Sequence, residues 1–141
     1  MTWIKPSFLW MMYRSGWATK ENQERILALK IKREGFEWCL ANSCLSHFDA
    51  AIHGTQEKWK EKLLASPVRI QWDPEKDILL QPLPYRSIQM GISGIAVEYY
   101  VKDWIVQIDD ITPYCNELHE LILNGGIEEA ASKLPKEEVY C

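Results

Sequence analysis

An α+β fold is predicted for this chain: a single domain over residues 1–141, with helices packed on a small twisted mixed sheet of four or five strands. Two observations predict it. Short segments alternate with a period of two, as Leu27, Leu29 and Ile31 do against Ala28, Lys30 and Lys32, and they are interleaved with segments whose apolar residues recur three and four apart. No repeat or linker separates these segments, and a chain of 141 residues suits one domain.

The first element is the aromatic stretch MTWIKPSFLWMMYRSGW, in which Trp3, Trp10 and Trp17 stand seven apart. Pro6 fits the first helical position, where its missing N–H costs nothing, and Ser15-Gly16 reads as a stop. A largely buried helix over 6–15 is expected. After a polar loop comes a strand over 25–32. A helix over 33–43 then presents Phe36, Cys39, Leu40 and Ser43 on one face, with Gly35 weakening its start. Residues 45–54 read as a loop. Thr55 caps a helix over 56–65 whose Trp59 and Leu63 face inward.

Val68, Ile70 and Trp72 alternate with Arg69 and Gln71 in a strand closed by a turn at Asp73-Pro74-Glu75, and 77–80 form a short hairpin arm. Past Pro82 and Pro84, a strand over 85–92 puts Ile88, Met90 and Ile92 opposite Ser87, Gln89 and Gly91. Ser93 caps a helix over 94–103, a strand covers 105–109, and Thr112-Pro113 starts a helix that Asn124-Gly125-Gly126 stops. A short helix over 127–134 ends the pattern.

Composition narrows the function classes. Hydrophobic residues make up 47% of the chain and charged residues 26%, an ordinary globular balance. A net charge of -4 argues against a general grip on nucleic acid while leaving a local basic pocket open. No apolar run is long enough to span a membrane. Arg14 interrupts the N-terminal apolar run and no small-x-small cleavage pattern follows, against a secretory signal. Cys39, Cys44, Cys115 and Cys141 match no CxxC or zinc-finger spacing and read as reduced thiols in a cytoplasmic protein.

The clearest chemical candidates are arginines beside hydroxyls. Arg14-Ser15-Gly16 closes the first helix, and Arg86-Ser87 leads through Gln89 to Gly91-Ile92-Ser93-Gly94. An arginine near hydroxyls and glycine N–H groups holds a phosphate bidentately, and a helix start at Ser93-Gly94 adds orphan donors. The lysine and spacing of a P-loop are absent. The plainer account is a helix cap with solvated or paired arginines. His47-Phe48-Asp49 and His53 are the one local histidine pair, at a spacing that fits no recognised metal motif. His47 is the candidate acid or base. Asp109-Asp110 reads chiefly as a cap for the helix that follows, and His119 as a surface residue.

The stretches MTWIKPSFLWMMYRSGW, ERILALKIKREGFEW, LSHFD, SPVRIQWDPE, LPYRSIQMGISG and WIVQIDDIT resemble the family catalogued as domain of unknown function 4291 over nearly the whole chain. The resemblance implies no particular activity or cofactor. It places the family's hallmark polar positions at Lys5, Arg14, Ser15, His47, Asp49, Arg69, Asp73, Arg86, Ser87 and Gln89. Members of that family carry a tyrosine-rich segment upstream of the methionine that is residue 1 here. The resemblance therefore implies a missing segment, whether through a short natural form, a mis-assigned start or a fragment. Its loss would expose an edge strand and favour a homodimer.

The functional expectation is binding of a phosphate-bearing small molecule or nucleotide, with Arg14 and Arg86 holding the anion and Ser15, Ser87 and Gln89 orienting it. Nucleotidyl or ADP-ribosyl transfer would be the chemistry if reaction follows. The rivals are a non-catalytic interaction module and an RNA-binding domain, the latter requiring a basic, aromatic-lined groove.

Overall fold

In the computed structural model, which describes residues 1–140, the N-terminal aromatic stretch divides into a strand, β1 (Thr2–Ile4), and a helix, α1 (Phe8–Ser15). Trp3 therefore lies on a strand, and Pro6 stays outside the helix. Ser7 takes the cap, its hydroxyl accepting the Trp10 N–H, and Gly16 closes the helix in the left-handed conformation at φ 58°. The remaining elements are β2 (Leu27–Ile31), α2 (Arg33–Ala41), β3 (Ser43–Leu45), α3 (Ala50–His53), α4 (Gln56–Ala65), β4 (Val68–Lys76), β5 (Pro82–Ile92), α5 (Ile95–Tyr99), β6 (Ile105–Asp110), α6 (Thr112–Leu123) and α7 (Ile127–Ser132). The fold is the expected mixed α+β single domain. Its sheet is four-stranded in the order β1-β5-β4-β3, and β2 pairs with β6 in a separate ribbon. β1 runs antiparallel to β5, with Trp3 opposite Gly91, and β3 runs parallel to β4, with Cys44 opposite Arg69.

Several expectations are corrected. The helix expected over 33–43 ends at Ala41, and Ser43 and Cys44 lie on a strand, because the chain leaves α2 at Asn42 to pair with β4. Asp73-Pro74-Glu75 lies inside β4, and the turn comes later, where Asp77 N–H donates to Gln81 C=O and Leu80 takes φ 63°. Ser93 does not cap α5: its hydroxyl donates to Pro67 C=O, and Gly94 at φ 55° precedes the helix. α5 ends at Tyr99 and a π-helical turn, Tyr100–Trp104, takes its place. His119 is not a surface residue; it is half-buried and stacked on Trp17 with centroids 5.7 Å apart.

The domain contains two compact units, with boundaries that fall within β2, β4, β5 and β6. The first comprises 1–6, 29–73 and 88–107. Its core gathers Val68, Ile70, Met90 and Ile92 from one face of the sheet with Cys39, Ala96, Tyr100 and Trp104 from the helical segments. Met90 and Ile92 are fully buried, each worth about 1.5–3 kcal/mol of hydrophobic transfer. Gly35 is a fitted residue here, since a Cβ would stand 2.4 Å from Trp104 Cγ.

The second unit comprises 7–28, 74–87 and 108–141, of which 7–28, 74–87 and 108–140 are described. Met12, Trp17, Ile26, Cys115, Leu118 and Ala130 form its core. Thr112 hydroxyl accepts the Ile26 N–H at 2.9 Å, and Asp110 carboxylate accepts the Thr112 N–H, so Asp110 does support the start of α6. Among the described residues no helix is long and apolar enough to cross a membrane.

Candidate functional site

In β4 the side chains alternate, so burial of Val68 and Ile70 turns Arg69, Gln71 and Asp73 to the opposite face of the sheet. Burial of Met90 and Ile92 does the same for Gln89 and Gly91 in β5. The register completes a row. Trp3 pairs with Gly91, and Cys44 with Arg69. Ser93 N–H donates to Pro67 C=O at 2.9 Å, and Gly91 and Arg69 are each two residues inward of that bond. The order across the four strands is thus Trp3, Gly91, Arg69 and Cys44.

Gly91 leaves space that the Trp3 ring uses. A Cβ at 91 would meet Trp3 Cζ2 and Met1 Sδ at 2.8 Å, so the indole lies over the glycine, with Trp3 still 41% exposed. Beyond it, Arg69 is half-buried and makes no hydrogen bond or ion pair among the described residues. Lys62, from the last turn of α4, is likewise without an ion pair among them. Both cations act on Cys44. Burial raises the thiol's pKa, and the positive charges of Lys62 and Arg69 pull in the other direction. Cys44 is 2% exposed as a residue and its thiol pKa is raised by burial, the setting of a small packing side chain.

The carboxylate on this face is already engaged. Asp73 Oδ2 accepts from Lys5 Nζ at 3.1 Å, and its Oδ1 accepts from Gln71 Nε2 at 2.9 Å. The Lys5 side chain is 1% exposed and that of Asp73 is 13% exposed, so this pair is sequestered from water. Gln89, half-buried, makes no side-chain hydrogen bond among the described residues.

The other predicted site residues are placed as follows. His47 is exposed in the loop after β3, where Ser46 N–H still donates to Ile70 C=O. His53 is buried, its Nδ1 accepting the Asp49 N–H at 3.0 Å, while the Asp49 carboxylate accepts the Ala51 N–H; the local His–Asp group closes its own turn. Arg14, Ser15, Arg86 and Ser87 all belong to the second unit, whereas His47 and Gln89 belong to the first. Arg14 and Arg86 are exposed. Ser15 is 1% exposed and its hydroxyl is used twice, donating to Met11 C=O at 2.8 Å and accepting the Ala18 N–H at 3.1 Å. Ser87 Oγ is buried. No group of three or more His, Cys, Asp or Glu side chains among the described residues is arranged to hold a metal ion.

The family model described as "Domain of unknown function (DUF4291)" matches residues 1–140. The chain belongs to this family. Neither the curated proteins nor the solved structures contain a significant match to it. Within this DUF4291 chain, Arg69, Asp73 and Gln89 share one face of the sheet, and Lys5 reaches that face through its ion pair with Asp73. The sequence reading singled out neither Lys62, whose charge acts on Cys44, nor Trp3, which lies over Gly91. Lys62 reads as one more solvating lysine of a charged helix, and the aromatic run hides Trp3 among core residues. The usable signal was the alternation in β4, which sets Arg69 opposite two buried aliphatics.

Proposed function

We propose that this protein binds a phosphate-bearing small molecule or nucleotide on the polar face of its four-stranded sheet. Arg69 is the main anion contact, Lys62 adds charge, and Gln89 orients the ligand through its amide. The observation that carries this reading is half-buried Arg69, whose guanidinium has no hydrogen-bond or ion-pair partner among the described residues and which lies in the row between Gly91 and Cys44. Burying a charge without a counter-charge is costly, and a planar guanidinium matches a phosphate in two parallel hydrogen bonds. The Arg14 and Arg86 pair is the less supported seat, because the Ser15 hydroxyl beside Arg14 is already committed to closing α1. If group transfer follows binding, exposed His47 is the acid or base to test. The buried free thiols of Cys39, Cys44 and Cys115 support a cytoplasmic setting.

A thermal-shift screen against inorganic phosphate, sugar phosphates, nucleotides, NAD, short RNA and divalent metals tests the proposal. A phosphorylated class at a hundredfold excess over its Kd stabilises the native state by about 2.7 kcal/mol, or roughly 5–10 °C for a chain of this size. Arg69→Met is expected to abolish the shift with the circular dichroism spectrum unchanged, and the double variant Arg14→Ala/Arg86→Ala to retain it. A folded protein that no phosphate compound stabilises refutes the reading and favours a non-catalytic interaction module. So does a shift that survives Arg69→Met, since it would make Arg69 a solvated arginine whose stem covers Cys44.

A further inference from the structure

We infer that the ligand is a mononucleotide whose base stacks on Trp3 while its phosphate sits at Arg69 and Lys62; this deepens the reading above and rests on it. Bare phosphate or a sugar phosphate needs only the cationic end of the face. The row extends further. Trp3 lies on β1, two strands from Arg69, with Gly91 between them. At the usual strand spacing this separates the two Cα positions by roughly 10 Å, the reach of a nucleotide and not of a lone phosphate.

Gly91 makes the arrangement workable. A side chain there would collide with Trp3 Cζ2 and Met1 Sδ at 2.8 Å, so the residue that crosses the middle of the row is the one that adds no bulk. The indole consequently rests on backbone and stays 41% exposed. It makes no ring stacking or cation–π contact among the described residues, and in particular none with Arg69. Gln89, two residues along β5 from Gly91 on the same face, brings an amide that donates to and accepts from a base edge. An aromatic platform, an adaptable amide and two cations without an ion pair among the described residues match base, base edge and phosphate. Stacking tolerates any base because every base has a π-face.

The test is calorimetric titration of the full chain with AMP, CMP, ribose 5-phosphate, inorganic phosphate and adenosine, repeated with Trp3→Phe and Trp3→Ala. Both nucleotides are expected to bind at least tenfold tighter than ribose 5-phosphate. Trp3→Ala should bring them down to the ribose 5-phosphate level without changing the affinity for ribose 5-phosphate itself, and Trp3→Phe should keep most of the advantage. Equal affinities for AMP and ribose 5-phosphate in the unmodified chain overturn the base-stacking inference and leave the anion seat standing. The same holds if Trp3→Ala leaves the nucleotide advantage intact, or weakens ribose 5-phosphate as much as AMP in a chain whose circular dichroism is unchanged. No binding of any phosphate compound overturns the anion seat and the nucleotide together.

Discussion

Removal of the Asp73 carboxylate probes why Arg69 has no counter-charge among the described residues. Asp73 is held by Lys5 at 3.1 Å and by Gln71 at 2.9 Å, and the Lys5 side chain it neutralises is 1% exposed. Breaking a buried ion pair from one side costs about 3–5 kcal/mol, because the partner charge stays buried. The 13% exposure of Asp73 lets water into the gap and favours the lower end, while the lost Gln71 bond adds about 1 kcal/mol. Asp73→Ala is therefore expected to cost about 3–4 kcal/mol, a large part of the stability of a typical domain. Lys5→Met should cost less, since Asp73 keeps Gln71 and some solvent. The double variant Lys5→Met/Asp73→Leu should return to within about 1 kcal/mol of the parent, as apolar replacements of buried pairs commonly do. Equilibrium urea unfolding of these proteins together with the single variant Asp73→Leu, which closes the cycle with Lys5→Met, gives the coupling free energy. Additive single effects would refute the argument. So would coupling of Asp73 to Arg69 in place of Lys5, since Asp73 would then be the missing counter-charge and the anion seat would be filled by the protein itself.

Two further outcomes follow from the packing and the titrations. Gly35→Ala gains about 1 kcal/mol of helix propensity but drives a Cβ to 2.4 Å from Trp104 Cγ, within a group where Trp104 packs against Trp38 and Tyr99; a net loss of about 1–2 kcal/mol is expected in urea unfolding, and an unchanged or raised midpoint would contradict the close approach. Glu137 is exposed as a residue, yet partial desolvation of its carboxyl raises its pKa; the Phe8 N–H it accepts at 2.8 Å opposes this, and the Glu75 charge adds to the rise. An acid with a raised native pKa stabilises the fold below its unfolded value and loses that contribution as pH climbs through the native one. Glu137→Gln, which keeps the acceptor for Phe8, is expected to raise stability at pH 7 relative to pH 4; the reverse order would contradict the assigned environment.

Much of the architecture was legible wherever a period ran uninterrupted. The faces of β5 and the Thr55 cap of α4 stand as read, the latter because a hydroxyl before a charged helix has one obvious donor, the Lys58 N–H at 3.2 Å. The failures share a cause, which is pairing between segments distant in sequence. β1 and β3 are three residues each, too short to show a period, and both exist because β5 and β4 supply the partners. β4 runs through Pro74 although Asp-Pro-Glu reads locally as a turn. Ser93 looks like a cap, but a carbonyl at Pro67, 26 residues away, takes its hydroxyl. The same limit applied to the site. Arginines flanked by hydroxyls stood out in one dimension, yet Ser15 spends its hydroxyl on its own helix. Arg69 draws its setting from Gly91 and Cys44 on neighbouring strands, which no local window contains.

The most direct measurement is an NMR titration of the arginine Nε–H resonances, with AMP and then inorganic phosphate added to the chain. The account predicts that Arg69 shifts saturably with both ligands, that the shift disappears in Arg69→Met, and that Arg14 and Arg86 stay in place. Saturable movement of Arg14 and Arg86 with Arg69 unmoved would contradict it and return the phosphate to the second unit.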